Sequence, residues 1–187
     1  MPVSLASIED CSSYDVVIVG AGMVGASAAI GLADLGLNVL LLDAFSFSEP
    51  IDIYTPSYDE RSTALSSGTQ EMLSRLKVWD SISKHACPIS NIHVSEQGRF
   101  GTLKMSAEEF DQAALGYVVS NKWFGQCLLK RVAEQNVSFC APVKVTNIEF
   151  ENDHQCLALS SADQQTKHVL SKLVLIVDGS SSKTAQL

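Results

Sequence analysis

Charge is scarce in this 187-residue chain, at 18% of residues, and basic charge is the scarcer kind, with 13 Lys and Arg against 21 Asp and Glu. A net charge of −8 argues against a nucleic-acid binder, which should carry a basic stripe to track a phosphate backbone. It also gives no electrostatic attraction to anionic lipid. Cysteine is sparse and scattered: Cys11, Cys87, Cys127, Cys140 and Cys156 form no CxxC pair. An odd count without such a pair reads as reduced thiols in a cytosolic compartment. No Lys or Arg precedes Tyr14, and no long apolar core lies there, so the start reads as neither a signal nor a transit peptide. Apolar runs are of strand length and too short to span a bilayer. His85, His93, His154 and His168 lack metal-ligand spacing, and no metal site is expected. A GxSxG elbow and a P-loop are both absent, which leaves acyl transfer and nucleotide hydrolysis without support. What remains is a chain 46% hydrophobic, long enough for one domain with a substantial core.

The richest stretch runs from Asp15 to Asp43. Val16–Val19 is an uninterrupted β-branched run, as in a parallel strand buried on both faces. Gly20, Gly22 and Gly25 follow with GxGxxG spacing around Met23 and Val24. The first glycine allows a tight turn, the second a close approach to a pyrophosphate, and the third close packing of helix on strand. A helix over about 23–35 places its N–H groups and positive dipole end at the phosphates. Ala29 keeps the next turn small on the same face. Gly36 stops the helix, and a second strand over about 38–42 leads into Asp43, which can accept hydrogen bonds from ribose hydroxyls. Strand, turn, helix, strand and acid in this order specify an adenine dinucleotide without saying which one.

Residues 1–13 read as a flexible leader. Residues 44–60, with Pro50 and Pro56, read as loop. A helix is expected over about 61–76, and a short one over 81–86 capped by Asp80. Ile92 and Val94, then Leu103 and Met105, suggest two strands around a Gly98–Gly101 turn. Tyr117–Ser120 reads as a strand, and Asn121 as the cap of an amphipathic helix reaching about residue 135. Trp79, Trp123 and Phe124 fall on helical faces and read as core. Glu108, Glu109 and Asp111 read as a solvated face. Segments at about 143–150, 155–160 and 167–170 read as an antiparallel meander, and Leu173–Val177 as a further buried strand ending in Asp178-Gly179. Ligands of open α/β sheets bind outside such strand ends, although Asp178-Gly179 also suits an ordinary turn. Arg61 could donate to a pyrophosphate or a flavin edge, or pair with a nearby acid at the surface.

The ordered set Gly20–Gly25, Tyr58-Asp-Glu-Arg-Ser-Thr-Ala-Leu65 with Ser67–Thr69, Val78-Trp79, Ile92–Ser95, Ala114–Asn121 and Val177–Ser180 resembles the N-terminal half of the class A flavin monooxygenases. Among these it is most similar to the ubiquinone-biosynthesis hydroxylases, in particular the 2-polyprenyl-6-methoxyphenol hydroxylase subgroup. The resemblance implies an α/β, Rossmann-like FAD-binding fold of glutathione-reductase type, with an inserted antiparallel β-meander. It implies FAD held at Gly20, Gly22, Met23, Val24, Gly25 and Asp43, with Arg61 and Gln126 as further contacts. Val143 would begin the strand passing the adenine, and Asp178 and Gly179 would serve FAD and the nicotinamide reductant. The implied reaction is hydroxylation of a polyprenylated phenol with NADH or NADPH and O₂. The implied setting is cytoplasmic, at the inner membrane surface, among other ubiquinone-biosynthesis enzymes. Ala185 stands where many relatives carry an arginine, and the family's second Gly-Asp motif has no counterpart. Residues 14–187 are therefore expected to be an incomplete FAD-binding domain, binding FAD weakly or not at all alone and naming no catalytic residue. The rival readings are an NAD(P)-dependent dehydrogenase domain and a non-catalytic cofactor- or partner-binding fragment.

Overall fold

The computed structural model describes residues 2–47, 58–98, 100–151, 153–179, 182 and 184–187. The prolines expected to break the 44–60 loop, Asn152 in the turn between two meander strands, and Ser180-Ser181 after the Asp-Gly pair lie outside the described residues. Eleven strands and four α-helices are described: β1 (Ser12–Val19), α1 (Met23–Asp34), β2 (Val39–Leu42), β3 (Ser62–Ser66), α2 (Ser67–Arg75), α3 (Trp79–Ile82), β4 (Cys87–Ile89), β5 (Asn91–Ser95), β6 (Thr102–Ser106), β7 (Gly116–Ser120), α4 (Asn121–Ala133), β8 (Val137–Cys140), β9 (Lys144–Glu151), β10 (His154–Ser160) and β11 (Thr166–Ile176).

A six-stranded sheet in the order β8-β2-β1-β11-β10-β9 forms the frame. β8, β2, β1 and β11 are parallel; β10 runs antiparallel to β11, and β9 antiparallel to β10. Successive side chains of a strand point to opposite faces, and β1 and β2 divide their apolar runs accordingly. Val16, Ile18, Val39 and Leu41 join one buried cluster with Ala26, Ala29 and Ile30 of α1, Leu73 of α2, Ile82 of α3, and Phe124 and Leu128 of α4. Val17, Val19, Leu40 and Leu42 join a second cluster with Leu157, Leu159 and Val169. This double burial is why both strands read as continuous apolar runs. A smaller sheet, β3-β7-β4, and a hairpin, β5-β6, are built from the stretch between α1 and α4.

The α/β, Rossmann-like expectation holds, and so do the first helix, its stop and the hairpin around Gly98–Gly101. The α1 stop is a Schellman motif: the Gly36 N–H donates to Ala33 O, the Leu37 N–H to Leu32 O, and Gly36 has φ +78°. Phe124 is core, whereas Trp79 and Trp123 are only partly buried against it.

Several local expectations are corrected. Residues 2–11 are packed, not loose: Leu5 and Ile8 enter the second cluster, and Lys167 Nζ donates to the carbonyls of Ala6 and Ile8. The helix expected over 61–76 begins as β3, because Ser62–Ser66 pairs with β7; Ser66 then caps α2 by accepting from the Thr69 N–H at 3.2 Å. Asp80 sits inside α3, whose capping position is Val78. Ser120, not Asn121, caps α4, accepting from the Trp123 N–H at 3.2 Å. β8, at four residues, is too short for its alternation to mark a strand, and it forms where β2 offers a parallel partner. The third meander strand and the return strand are one element, β11: Thr166–Ser171 pairs with β10, Val169–Ile176 pairs with β1, and the two pairings overlap at Val169–Ser171.

Candidate functional site

The ends of four neighbouring parallel strands meet at one edge of the sheet. Gly20 follows β1, Asp43 follows β2, Val143 lies three residues past β8, and Asp178-Gly179 lies just past β11. A ladder of hydrogen bonds continues across this rim beyond the strands. The Gly20 N–H donates to Leu42 O at 2.8 Å, the Asp43 N–H to Cys140 O at 3.2 Å, the Val143 N–H to Asp43 O at 2.8 Å, and the Val177 N–H to Val19 O at 2.8 Å.

Two of the three glycines are demanded by the protein itself. Gly20 has φ +108°, and a Cβ there would lie 2.6 Å from Val177 O and 2.8 Å from the Asp178 Cα. That contact places Asp178 directly beside the glycine turn. A Cβ on Gly25 would lie 1.8 Å from Gly20 O, so the helix can sit this close to the turn only without a side chain. Gly22 differs: at φ −67° and ψ −175° its backbone suits any residue. It occupies the capping position of α1 without a side-chain cap, and the first turn of α1 carries no acid. Met23 and Val24 open the helix; Met23 is half-buried and Val24 is exposed. The N-terminal N–H groups of a 12-residue helix thus meet no side-chain cap from Gly22.

Asp43 braces this turn. Its Oδ2 accepts from the Ala21 N–H at 2.7 Å and its Oδ1 from the Phe45 N–H at 2.8 Å. Burial raises its pKa; hydrogen bonds from the Phe45, Ala21 and Ala44 N–H groups oppose the shift and the charge of Asp178 adds to it. Asp178 in turn accepts from the buried Thr184 hydroxyl at 2.8 Å. Gly179 has φ +98° with open space where a Cβ would stand. Each carboxylate oxygen keeps lone pairs beyond these bonds. Two neighbouring acids repel an anion and welcome hydroxyl donors, whereas the uncapped helix end favours an anion. The rim therefore combines a helix end that favours an anion with two acids that can accept hydroxyl donors.

Arg61 and Gln126 stand on other elements. The Arg61 guanidinium is exposed and pairs through Nε with Asp59, the surface pairing that its spacing also allowed. Asp59 is held below the ordinary carboxylate range: burial acts against this, but hydrogen bonds from Arg61 and Asn121 prevail. Gln126 is half-buried on α4. Sequence reasoning gave no site role to Tyr58, Gly125, Asn121 or Thr184. Tyr58 is fully buried and donates its hydroxyl to Ala21 O at 2.7 Å. Gly125 lies against the Tyr58 ring, where a Cβ would stand 2.2 Å from Cδ1. A glycine inside an amphipathic helix costs about 1 kcal/mol relative to alanine, and that cost is the one signal that could have marked the position. Among the described residues no group of His, Cys, Asp and Glu could hold a metal ion, and no helix is long and apolar enough to cross a membrane.

The family described as FAD binding domain matches residues 13–187. The ubiquinone hydroxylase UbiL of Rhodospirillum rubrum is 31% identical over 173 residues, covering 92% of this chain and 38% of that protein. The 3-demethoxyubiquinol 3-hydroxylase of Escherichia coli is 29% identical over 176 residues, covering 92% of this chain and 43% of that protein. The chain thus spans about two fifths of the length of these curated relatives. Among solved structures, p-nitrophenol 4-monooxygenase PnpA of Pseudomonas putida superposes with a TM-score of 0.75 at 22% identity, over 92% of this chain and 42% of that one. The glycine turn, the acids at the strand ends and a family match over nearly the whole length agree, and the chain belongs to the FAD binding domain family.

Proposed function

We propose that this chain is the FAD-binding portion of a flavin monooxygenase that hydroxylates a polyprenylated phenol in ubiquinone biosynthesis, with NADH or NADPH as reductant and O₂ as oxidant. The observation that carries the reading is the rim itself: an uncapped helix start after β1, with Asp43 and Asp178 at the ends of β2 and β11, the two parallel strands that flank β1. Relatives named as ubiquinone hydroxylases support the substrate class. Bound FAD would supply the electron transfer and the activation of oxygen. The N–H groups of Gly22, Met23 and Val24 would face the pyrophosphate, with Gly20 and Gly25 shaping the turn. Asp43 would accept the adenosine ribose hydroxyls, and Val143 would border the adenine. Asp178 and Gly179 would meet FAD and the nicotinamide on the far side of the turn. Arg61, paired with Asp59 through Nε, would offer its terminal nitrogens to an anionic group of the cofactor. Gln126 would contribute a polar contact from α4. A polyprenyl substrate resides in the bilayer, so the complete enzyme would work from the cytoplasm against the membrane surface, beside other enzymes of the same route.

Cofactor titration tests this reading. The chain is titrated with FAD and with NAD while flavin fluorescence and protein resonances are followed. NAD(P)H-driven oxygen uptake is measured on the complete polypeptide. Preference for FAD, with flavin-dependent oxygen uptake, is expected. Tight binding of NAD with no response to FAD would replace the reading with a dehydrogenase domain.

A further inference from the structure

Ala21, at the centre of the glycine turn, is pinned from both sides. Its N–H is taken by Asp43 Oδ2 at 2.7 Å, and its carbonyl accepts the Tyr58 hydroxyl at 2.7 Å. The preceding donor, the Gly20 N–H, is spent on Leu42 O. Gly22 therefore supplies the first N–H of the turn with no acceptor among the described residues. The Ala21–Gly22 peptide is trans, so its C=O and N–H point in opposite directions. Holding the carbonyl on the buried Tyr58 hydroxyl aims the Gly22 N–H away from the ring. Tyr58 is 1% exposed, and its ring is seated against Gly125, where a Cβ would stand 2.2 Å from it. A main-chain tether follows close behind: the Asn121 N–H donates to Arg61 O at 2.8 Å and the Lys122 N–H to Asp59 O at 3.1 Å.

From this geometry we infer that Tyr58 is a positioning residue for the phosphate-binding turn: its hydroxyl sets the direction of the Gly22 N–H, and Gly125 on α4 provides the seat that makes this possible. The inference rests on the proposed function, because the ligand of that N–H is the pyrophosphate of FAD. Preorganisation of this kind lowers the cost of binding by fixing a donor in advance. Its signature is selective: a ligand with a pyrophosphate loses affinity when the tether is cut, and the same ligand without it does not.

The test uses the isotopically labelled chain, with ADP and adenosine as probes and binding followed by NMR at millimolar ligand. The wild-type Gly22 amide should shift on adding ADP but not adenosine. Y58F removes only the hydroxyl; it should bind ADP roughly 5- to 10-fold more weakly, the worth of about one hydrogen bond, and adenosine unchanged. Circular dichroism confirms equal folding at the temperature used. Should Y58F fail to fold, fluorotyrosine in place of tyrosine carries the same test, since it keeps the ring and hydroxyl and alters only the donor strength: ADP affinity should change and adenosine affinity should not. Unchanged ADP affinity in a folded variant overturns the inference, and so does equal loss for both probes. A wild-type Gly22 amide that ignores bound ADP overturns it whatever the variants do. A wild-type chain that binds no ADP overturns the inference, whereas a complete polypeptide that binds no FAD overturns the functional reading itself, and the inference falls with it.

Discussion

The β1-α1-β2 unit and the β5-β6 hairpin both carry clear apolar patterns, and the two patterns meet opposite fates. In β1, Val16 to Val19 are all at most 6% exposed. In the hairpin, Val94 pairs with Leu103 and Ile92 with Met105 on one face, yet Val94 is 53% and Leu103 is 56% exposed. An alternating pattern says which side chains share a face. It does not say that anything covers the face. The first unit is covered on both sides, by helices on one and by Leu5, Ile8 and Leu157 on the other. A two-stranded hairpin has no such layers to draw on, and hairpins of this size are marginal by themselves.

The glycines of the two regions should separate them most sharply. Gly25→Ala drives a methyl to 1.8 Å from Gly20 O, and should cost at least about 3 kcal/mol or abolish folding. Gly101→Ala, at φ +121° with open space around it, should strain its turn by ~1–3 kcal/mol and loosen the hairpin alone. Urea denaturation read together with amide exchange in β5 and β6 distinguishes global from local loss. Equal global destabilisation by both would erase the contrast.

Next in size is a pair of leucines. Leu41→Ala, at a fully buried position, should lower unfolding free energy by about 2–5 kcal/mol. Leu103→Ala should change it by less than about 0.5 kcal/mol. Denaturation midpoints measured side by side would show whether the hairpin contributes to the common core. Ser120→Ala, which removes the cap of α4, should cost about 1 kcal/mol, with Ser120→Asp retaining most of it; thermal unfolding measures both.

The smallest expected difference is a slope with pH. Burial raises the Asp43 pKa in the folded protein, so the folded state holds this proton more tightly than the unfolded chain. Its contribution to stability therefore declines as pH rises from the unfolded value near ~3.9 through the raised folded value. Asp43→Asn should flatten that decline in urea titrations between pH 3 and 7. An unchanged pH profile would mean that the carboxyl is better solvated than its surroundings imply.

Much of the fold was legible because its signals are local. The GxGxxG spacing, the two apolar strands, the glycine stop of α1 and the alternation of the hairpin each depend on neighbours a few residues away. The misreadings share a cause as well. Leu65 falls at helical spacing with Met72, Leu73 and Leu76, yet it belongs to β3, because β7 offers Ser62–Ser66 a partner that the period could not reveal. Asn121 has the chemistry of a cap, but its side chain is drawn to Asp59 and Thr63, about sixty positions away, and Ser120 caps instead. Leu5 and Ile8 belong to a stretch with no period of its own, so their burial could come only from the sheet they cover.

The site divides along the same line. The residues between Val16 and Asp43 determined by themselves that a glycine turn joins a buried strand to a helix and ends beside an acid, because backbone torsions and short-range sterics demand glycine there. Tertiary structure alone decided that Asp178 lies against Gly20, that Tyr58 reaches Ala21 from 37 positions away, and that Gly125 makes room for it. Such contacts are chosen by which faces the sheet and helices bring together. A free energy gained only on packing leaves no period in the sequence.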